Sequence, residues 1–328
     1  MEPTFRAARG GVGAAVTGIV LVVLALAGGW IAGAMYDGRL GSACAGGCAS
    51  SVSADSHGAA TPTAQLAAAT ARPTPHPTEP AGLPFVSARS IAIIENTCGA
   101  EIFGRDEHLR LPPASLTKLM TAAVATDQAS TDKLITAHVD GADLYDKTGS
   151  TIMGLKPGMQ LSLLDLLYGL LLPSGNDAAI AIAEGIAGTQ AKFVDLMNAK
   201  VQSLGLEDSH FTNPHGLNDD NLYSSAYDMA MLARYAMQNQ TLRTIVAAVS
   251  WQPRWDGPPV WNGNRFVGEY EGADGVKIGY TEQSQQTIVG SATRNGRRII
   301  VSLMRSQDRY TDAERLFDWA FAQPSPCP

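Results

Sequence analysis

Ser115-Leu116-Thr117-Lys118 sets a hydroxyl and an amine three residues apart. On a helix that spacing puts both on one face, one turn apart. A serine hydroxyl is a weak nucleophile until a base takes its proton, and a lysine held unprotonated beside it can be that base. The pattern recurs at Ser130-Thr131-Asp132-Lys133, so the four letters alone do not choose between the copies. Their surroundings do. Leu116, Leu119, Met120 and Ala123 give the first copy an apolar setting. Burial there disfavours the ammonium form of Lys118 and lowers its pKa, as a general base at neutral pH requires. The second copy lies among Asp127, Gln128, Thr131 and Asp132 and reads as an exposed loop.

Two further groups could complete a reaction centre. In Ser174-Gly175-Asn176 the serine can relay protons, and the asparagine amide can hold a substrate amide and a lysine together. The plainer alternative is that Ser174 caps the next helix. A cation beside a glycine on a strand can bind a carboxylate, while the glycine lets a peptide backbone approach the strand edge. Lys147-Thr148-Gly149 has those letters but no strand pattern around it. Lys277-Ile278-Gly279-Tyr280-Thr281 lies in a strand-like stretch followed by hairpin partners, and it is the better carboxylate site.

The elements that must position these groups follow from periodicity and turn residues. Strands are expected over 90–95 and around Ile102 and Phe103, with Asn96-Thr97-Cys98-Gly99 as the turn between them. Pro112 and Pro113 stand before a helix expected from about 115 to 126. Residues 161–172 are apolar almost all round, which predicts a buried helix too short to span a membrane. Further helices are expected over 177–186, 190–204, 226–238 and 241–249. Strands follow at 275–281, 286–292 and 298–304, with Asn295-Gly296 as a hairpin turn, and a last helix at 312–321. Strands thus come from both ends and helices from the middle. The expected fold is α/β (α+β), an antiparallel sheet built from both chain ends against a central helical block.

Composition bounds the rest. The 328 residues carry a net charge of -7 and gather no basic face, which argues against nucleic-acid binding. The six histidines never fall in His-x-His or His-Glu-x-x-His spacing, so no metal site is signalled. Residues 10–36 run without a charge behind Arg6 and Arg9, long enough to span a bilayer with the positive end in the cytoplasm. Residues 1–36 therefore read as an uncleaved membrane anchor. A cleaved signal peptide is the alternative, since Ala32-Gly33-Ala34 has the form of a cleavage site. In either case the remainder lies outside the cytoplasm. Residues 37–84, rich in Ala, Thr, Ser, Gly and Pro, read as an extended linker, and 85–323 as the folded domain. An exported location permits disulfides among Cys44, Cys48, Cys98 and Cys327, with no pairing fixed by sequence. Gly41 stands where a lipobox ending at Cys44 needs leucine.

Ser-x-x-Lys, Ser-x-Asn and a Lys-x-Gly strand, in this order, resemble the motif set of penicillin-binding proteins and class A β-lactamases. Within that group four stretches resemble the low-molecular-mass D-alanyl-D-alanine carboxypeptidases. They are Ala114-Ser115-Leu116-Thr117-Lys118-Leu119-Met120-Thr121, Ser174-Gly175-Asn176-Asp177-Ala178-Ala179, Phe211-Thr212-Asn213-Pro214-His215-Gly216-Leu217 and Asp274-Gly275-Val276-Lys277. The resemblance runs from about Ser87 to Phe321. It implies a β-lactamase/transpeptidase-like fold and a serine peptidase acting on peptidoglycan stem peptides that end in D-Ala-D-Ala.

On that resemblance Ser115 attacks the penultimate D-alanine carbonyl and Lys118 takes its proton. Ser174 and Asn176 relay the proton to the leaving D-alanine and hold the acyl chain. Lys277 pairs with the terminal carboxylate, and the backbone N–H groups of Ser115 and Tyr280 form the oxyanion hole. β-Lactams should acylate Ser115, and no metal or organic cofactor is needed. Two departures stand out: Ile278 replaces the family's threonine, leaving Thr281 to share its role, and Gln283-Ser284-Gln285-Gln286 replaces a glycine-rich turn. The additional C-terminal β domain of many relatives is not expected, and the N-terminal helix would supply anchoring. The alternatives are an endopeptidase on D-amino-acid cross-links and a catalytically weak wall-binding or β-lactam-sensing module. A β-lactamase is disfavoured, because no Glu-x-x-Leu-Asn loop is recognisable.

Overall fold

Alternation along 90–95 settles the middle of the sheet. In β1 (Ser90–Glu95), Ile91 and Ile93 enter one apolar cluster while Ala92 and Ile94 enter another, and all four are buried. A strand apolar on both sides must be covered on both faces. The computed structural model describes residues 79–254 and 257–328. The expected anchor at 1–36 and the greater part of the expected linker, with Cys44 and Cys48, lie outside the described residues.

After β1 the chain returns in β2 (Glu101–Arg105), makes a single 3-10 turn at Ala114–Leu116 and enters α1 (Thr117–Gln128). Next come β3 (Leu134–Thr136), α2 (Gly141–Thr148), β4 (Gln160–Ser162), α3 (Leu163–Leu171), α4 (Asn176–Ala187) and α5 (Gln190–Leu204). They are followed by α6 (Ala226–Ala236), α7 (Gln240–Val246), the two-residue strands β5 (Ser250–Trp251) and β6 (Val260–Trp261), and a one-turn α8 (Phe266–Glu269). The last elements are β7 (Ala273–Thr281), β8 (Gln285–Arg294), β9 (Arg297–Ser306) and α9 (Arg309–Ala322).

Five strands form the main sheet in the order β2-β1-β9-β8-β7, with every pair antiparallel. β1 and β9 pair along their whole length, from Ser90 opposite Met304 to Glu95 opposite Ile299, which brings the two ends of the domain into one sheet. One face packs on the helical block through Ala92, Ile94, Val289, Ile300 and Met304. The other is covered by α9 through Ala313, Leu316, Phe317 and Ala320, so the domain has three layers. Asn295 and Gly296 both adopt positive φ (50° and 78°) between β8 and β9, as a type I′ hairpin turn demands. Cys98, in the turn after β1, is bonded to Cys327, beyond α9.

Several boundaries differ from expectation. The apolar run at 161–172 is not helical throughout: Gln160–Ser162 is a strand paired with β3, and α3 starts only at Leu163. Ser162 Oγ accepts the Asp165 amide as an N-cap, so its own backbone stays extended. α6 and α7 end before the expected 238 and 249. Asn239 caps α7 by accepting from the amides of Thr241 and Leu242, and Asn262 Nδ2 donates to the carbonyls of Val246, its last residue, and of Ala248 beyond it.

Candidate active site

The 3-10 turn and the first turn of α1 put Ser115 half-buried at the domain surface and Lys118 fully inside it. Lys118 Nζ lies 3.0 Å from Ser115 Oγ. It also donates to the His215 carbonyl oxygen at 2.6 Å. Burial first, and the charge of Lys277 second, hold the Lys118 pKa well below that of an ordinary lysine, while Asp177 pulls weakly the other way. A lysine shifted toward its neutral form has a lone pair for the Ser115 proton. The second copy of the motif has nothing comparable: Ser130 and Lys133 are exposed, and the Ser130 hydroxyl turns to Asp132.

Ser174 lies in the turn between α3 and α4, and Asn176 opens α4. Gly175, not Ser174, is the N-cap of α4, and it makes no side-chain cap. The capping role open to Ser174 is thus not used. Its backbone is left-handed (φ 69°), and its Oγ is buried without a hydrogen-bond partner. Left-handed backbone costs a residue with a side chain, and Ala114, directly before the serine of the first motif, shares it (φ 51°). The turn is clamped from outside. Asn176 N–H donates to the Thr151 carbonyl, Thr151 Oγ1 donates to the Ser174 carbonyl, and Asp177 accepts the amides of Met153, Gly154 and Leu155. Asn176 itself is buried at the first position of α4, which packs on α1.

β7 is the edge strand that closes the site. Gly279 is required there: a Cβ on it would stand 2.9 Å from Ser115 N and 2.6 Å from Thr287 Oγ1. Its absence lets the strand edge run against the serine's backbone N–H. Lys277, on the same strand, is buried, and burial followed by the Arg309 charge brings its pKa down to about 7. Tyr280 is 62% exposed, so the strand edge is open to a ligand there. Thr281 is engaged: its hydroxyl donates to Asn218 Oδ1 at 3.0 Å and shares a hydrogen bond with Ser284 Oγ at 2.9 Å. Ile278 joins the partly buried residues packed on the α9-side core, within reach of Gly263. Gly263 in turn donates to the Leu172 carbonyl at 2.9 Å, which ties the approach to Ser174 to the third motif. Lys147 and Gly149, the rival letters, stand at the exposed end of α2, where Lys147 pairs with Asp143.

Two further groups at the site were given no role by the sequence. Arg309 Nη1 donates to the carbonyls of Gly279 (2.7 Å) and Thr287 (3.2 Å), and Nε to Gln286 Oε1. Its one sequence signal is a cation at a helix N-terminus, where the helix dipole disfavours it. The other is the His215 carbonyl, a backbone atom. Among the described residues, no group of three or more His, Cys, Asp and Glu side chains is placed to hold a metal ion.

A family model described as D-alanyl-D-alanine carboxypeptidase matches residues 77–308. The D-alanyl-D-alanine carboxypeptidase DacF of Bacillus subtilis is 32% identical over 243 residues, covering 72% of this chain and 62% of the relative. DacB2 of Mycobacterium tuberculosis is 36% identical over 257 residues, covering 74% of this chain and 87% of the relative. Among solved structures, the Streptomyces K15 DD-transpeptidase superposes with a TM-score of 0.69 at 28% identity, covering 73% of this chain and 99% of that one. A D-alanyl-D-alanine carboxypeptidase from Mycobacterium tuberculosis superposes with a TM-score of 0.70 at 33% identity, covering 76% and 98%. The chain spans about 62% of the length of the first of these curated relatives.

Proposed function

Since the chain belongs to the D-alanyl-D-alanine carboxypeptidase family, we propose that it is a serine-type peptidase that removes the terminal D-alanine of peptidoglycan stem peptides. The observation that carries this reading is the pair at 3.0 Å, Ser115 Oγ and a fully buried Lys118 whose pKa is driven down. Lys118 takes the Ser115 proton as Ser115 Oγ bonds to the carbonyl carbon of the penultimate D-alanine. The backbone N–H groups of Ser115 and Tyr280 receive the oxyanion. The C–N bond then breaks. The proton passes through the unpartnered Ser174 hydroxyl to the leaving amine, with Asn176 holding the acyl side. Water hydrolyses the ester along the reverse proton route. Lys277 binds the terminal carboxylate, and Arg309, fixed on the Gly279 carbonyl, adds positive charge behind it. A β-lactam presents the same acyl group and becomes attached to Ser115.

We place this domain on the outer side of a membrane, held by the N-terminal segment. The support is the uncharged run at 10–36 behind Arg6 and Arg9. Release of D-alanine from a pentapeptide ending in D-Ala-D-Ala tests the activity. Turnover on the pentapeptide is expected. Release only from cross-linked dimers would make the protein an endopeptidase, and acylation without turnover would make it a β-lactam-sensing module.

A further inference from the structure

The turn at 213–217 grips the nucleophile segment from two sides. Gly216, in left-handed conformation (φ 91°), lies so close to the Ala114 carbonyl that a Cβ would stand 2.0 Å from that oxygen. On the other side Thr121 Oγ1, from α1 itself, donates to the Pro214 carbonyl at 2.6 Å. Inside the turn one side chain makes three bonds. Asn213 Oδ1 accepts the amides of His215 (3.2 Å) and Gly216 (2.7 Å), and Nδ2 donates to the Leu217 carbonyl (3.0 Å). The His215 carbonyl so presented is the one on Lys118 Nζ. A neutral lysine amine has two N–H bonds and one lone pair. With one N–H fixed on that carbonyl, the lone pair can face Ser115 Oγ.

We infer that Asn213 is a positioning residue for proton transfer, holding the His215 carbonyl so that the lone pair of Lys118 is aimed at Ser115. This rests on the peptidase reading above. The imidazole takes no part as an acid: the Leu217 amide donates to its Nδ1, and burial first, then Lys118 whenever it is protonated, keeps its pKa down at about 3. The other charged groups acting on Lys118 are Lys277 from β7 and Asp177 from α4.

The test is the rate of acylation by a fluorescent penicillin across pH, with the folded fraction of each variant read from its melting curve. Asn213→Ala should lower the plateau rate by ~10²-fold, as misdirected reacting groups do. It should also move the acidic limb to lower pH, because a carbonyl favours the ammonium form it no longer touches. Thr121→Val, nearly isosteric, should move rate and limb in the same directions by less. Asn213→Asp keeps the oxygen that accepts from His215 and Gly216 but loses the donor to the Leu217 carbonyl, and should recover only part of the rate. A rate that falls only with the folded fraction, with the limb unmoved in both Asn213→Ala and Thr121→Val, overturns the inference. If Asn213→Ala does not fold, Thr121→Val decides alone. Native protein that fails to acylate at all sinks the peptidase reading instead.

Discussion

Ser115–Lys118 and Ser130–Lys133 share one spacing and lie within the same stretch of chain, yet only one is placed to react. The first straddles a 3-10 turn and a helix buried through nine successive residues, Thr117 to Ala125. The second lies in the turn after that helix, where Lys133 N–H closes on the Ser130 carbonyl and both side chains meet solvent. The difference is dielectric, not compositional. Water stabilises an exposed ammonium and leaves it a poor base, whereas burial first, and Lys277 as a second cation, shift Lys118 toward the neutral amine.

That contrast can be broken outright by exchanging the nucleophiles. Ser115→Ala should abolish covalent labelling by a fluorescent penicillin while the protein still melts cooperatively, and Ser130→Ala should label as the native protein does. Labelling that survives Ser115→Ala would end the assignment. The next effect in size belongs to the bases. Lys118→Ala should slow acylation by ~10²–10⁴-fold, the usual loss with a general base. Lys133→Ala and Lys147→Ala should leave the rate unchanged, and a loss at either one matching that of Lys118→Ala would mean the wrong copy has been chosen.

The pH profile sharpens the same comparison. With its pKa depressed, Lys118 stays neutral to lower pH than an ordinary lysine, so acylation should fall as pH drops through its pKa and stay level above it. On the proposed reading Lys277 works in the opposite sense, since it would bind a carboxylate only while charged. Its pKa of about 7 predicts that KM for a carboxylate-bearing peptide rises as pH climbs past neutrality. Kinetics with a peptide substrate across pH check both limbs, and an alkaline limb that persists in Lys277→Ala would remove that residue from carboxylate binding.

Much of the sheet and the helical block could be read from the letters because it depends on alternation and local turns. The β1 isoleucines and the Asn295-Gly296 hairpin are examples. Local reasoning failed where one polar atom outweighed an apolar run. Ser162 caps the helix that follows, and Leu161 stays in a strand where it is buried. The letters also left a cap role open to Ser174, and in the fold that position belongs to Gly175 while Ser174 is left-handed. Arg309 and the His215 carbonyl were out of reach, since neither a distant cation nor a backbone oxygen leaves a spacing to find.

The sequence by itself determined which side chains could react and that the strands must come from both chain ends. Residue type and periodicity are local properties, and they survive without the fold. Only the tertiary structure decided which lysine is a base. A pKa is set by what surrounds the group in space, and Lys118 meets Lys277, Asp177 and the 213–217 turn only after β7, α4 and α1 have packed together.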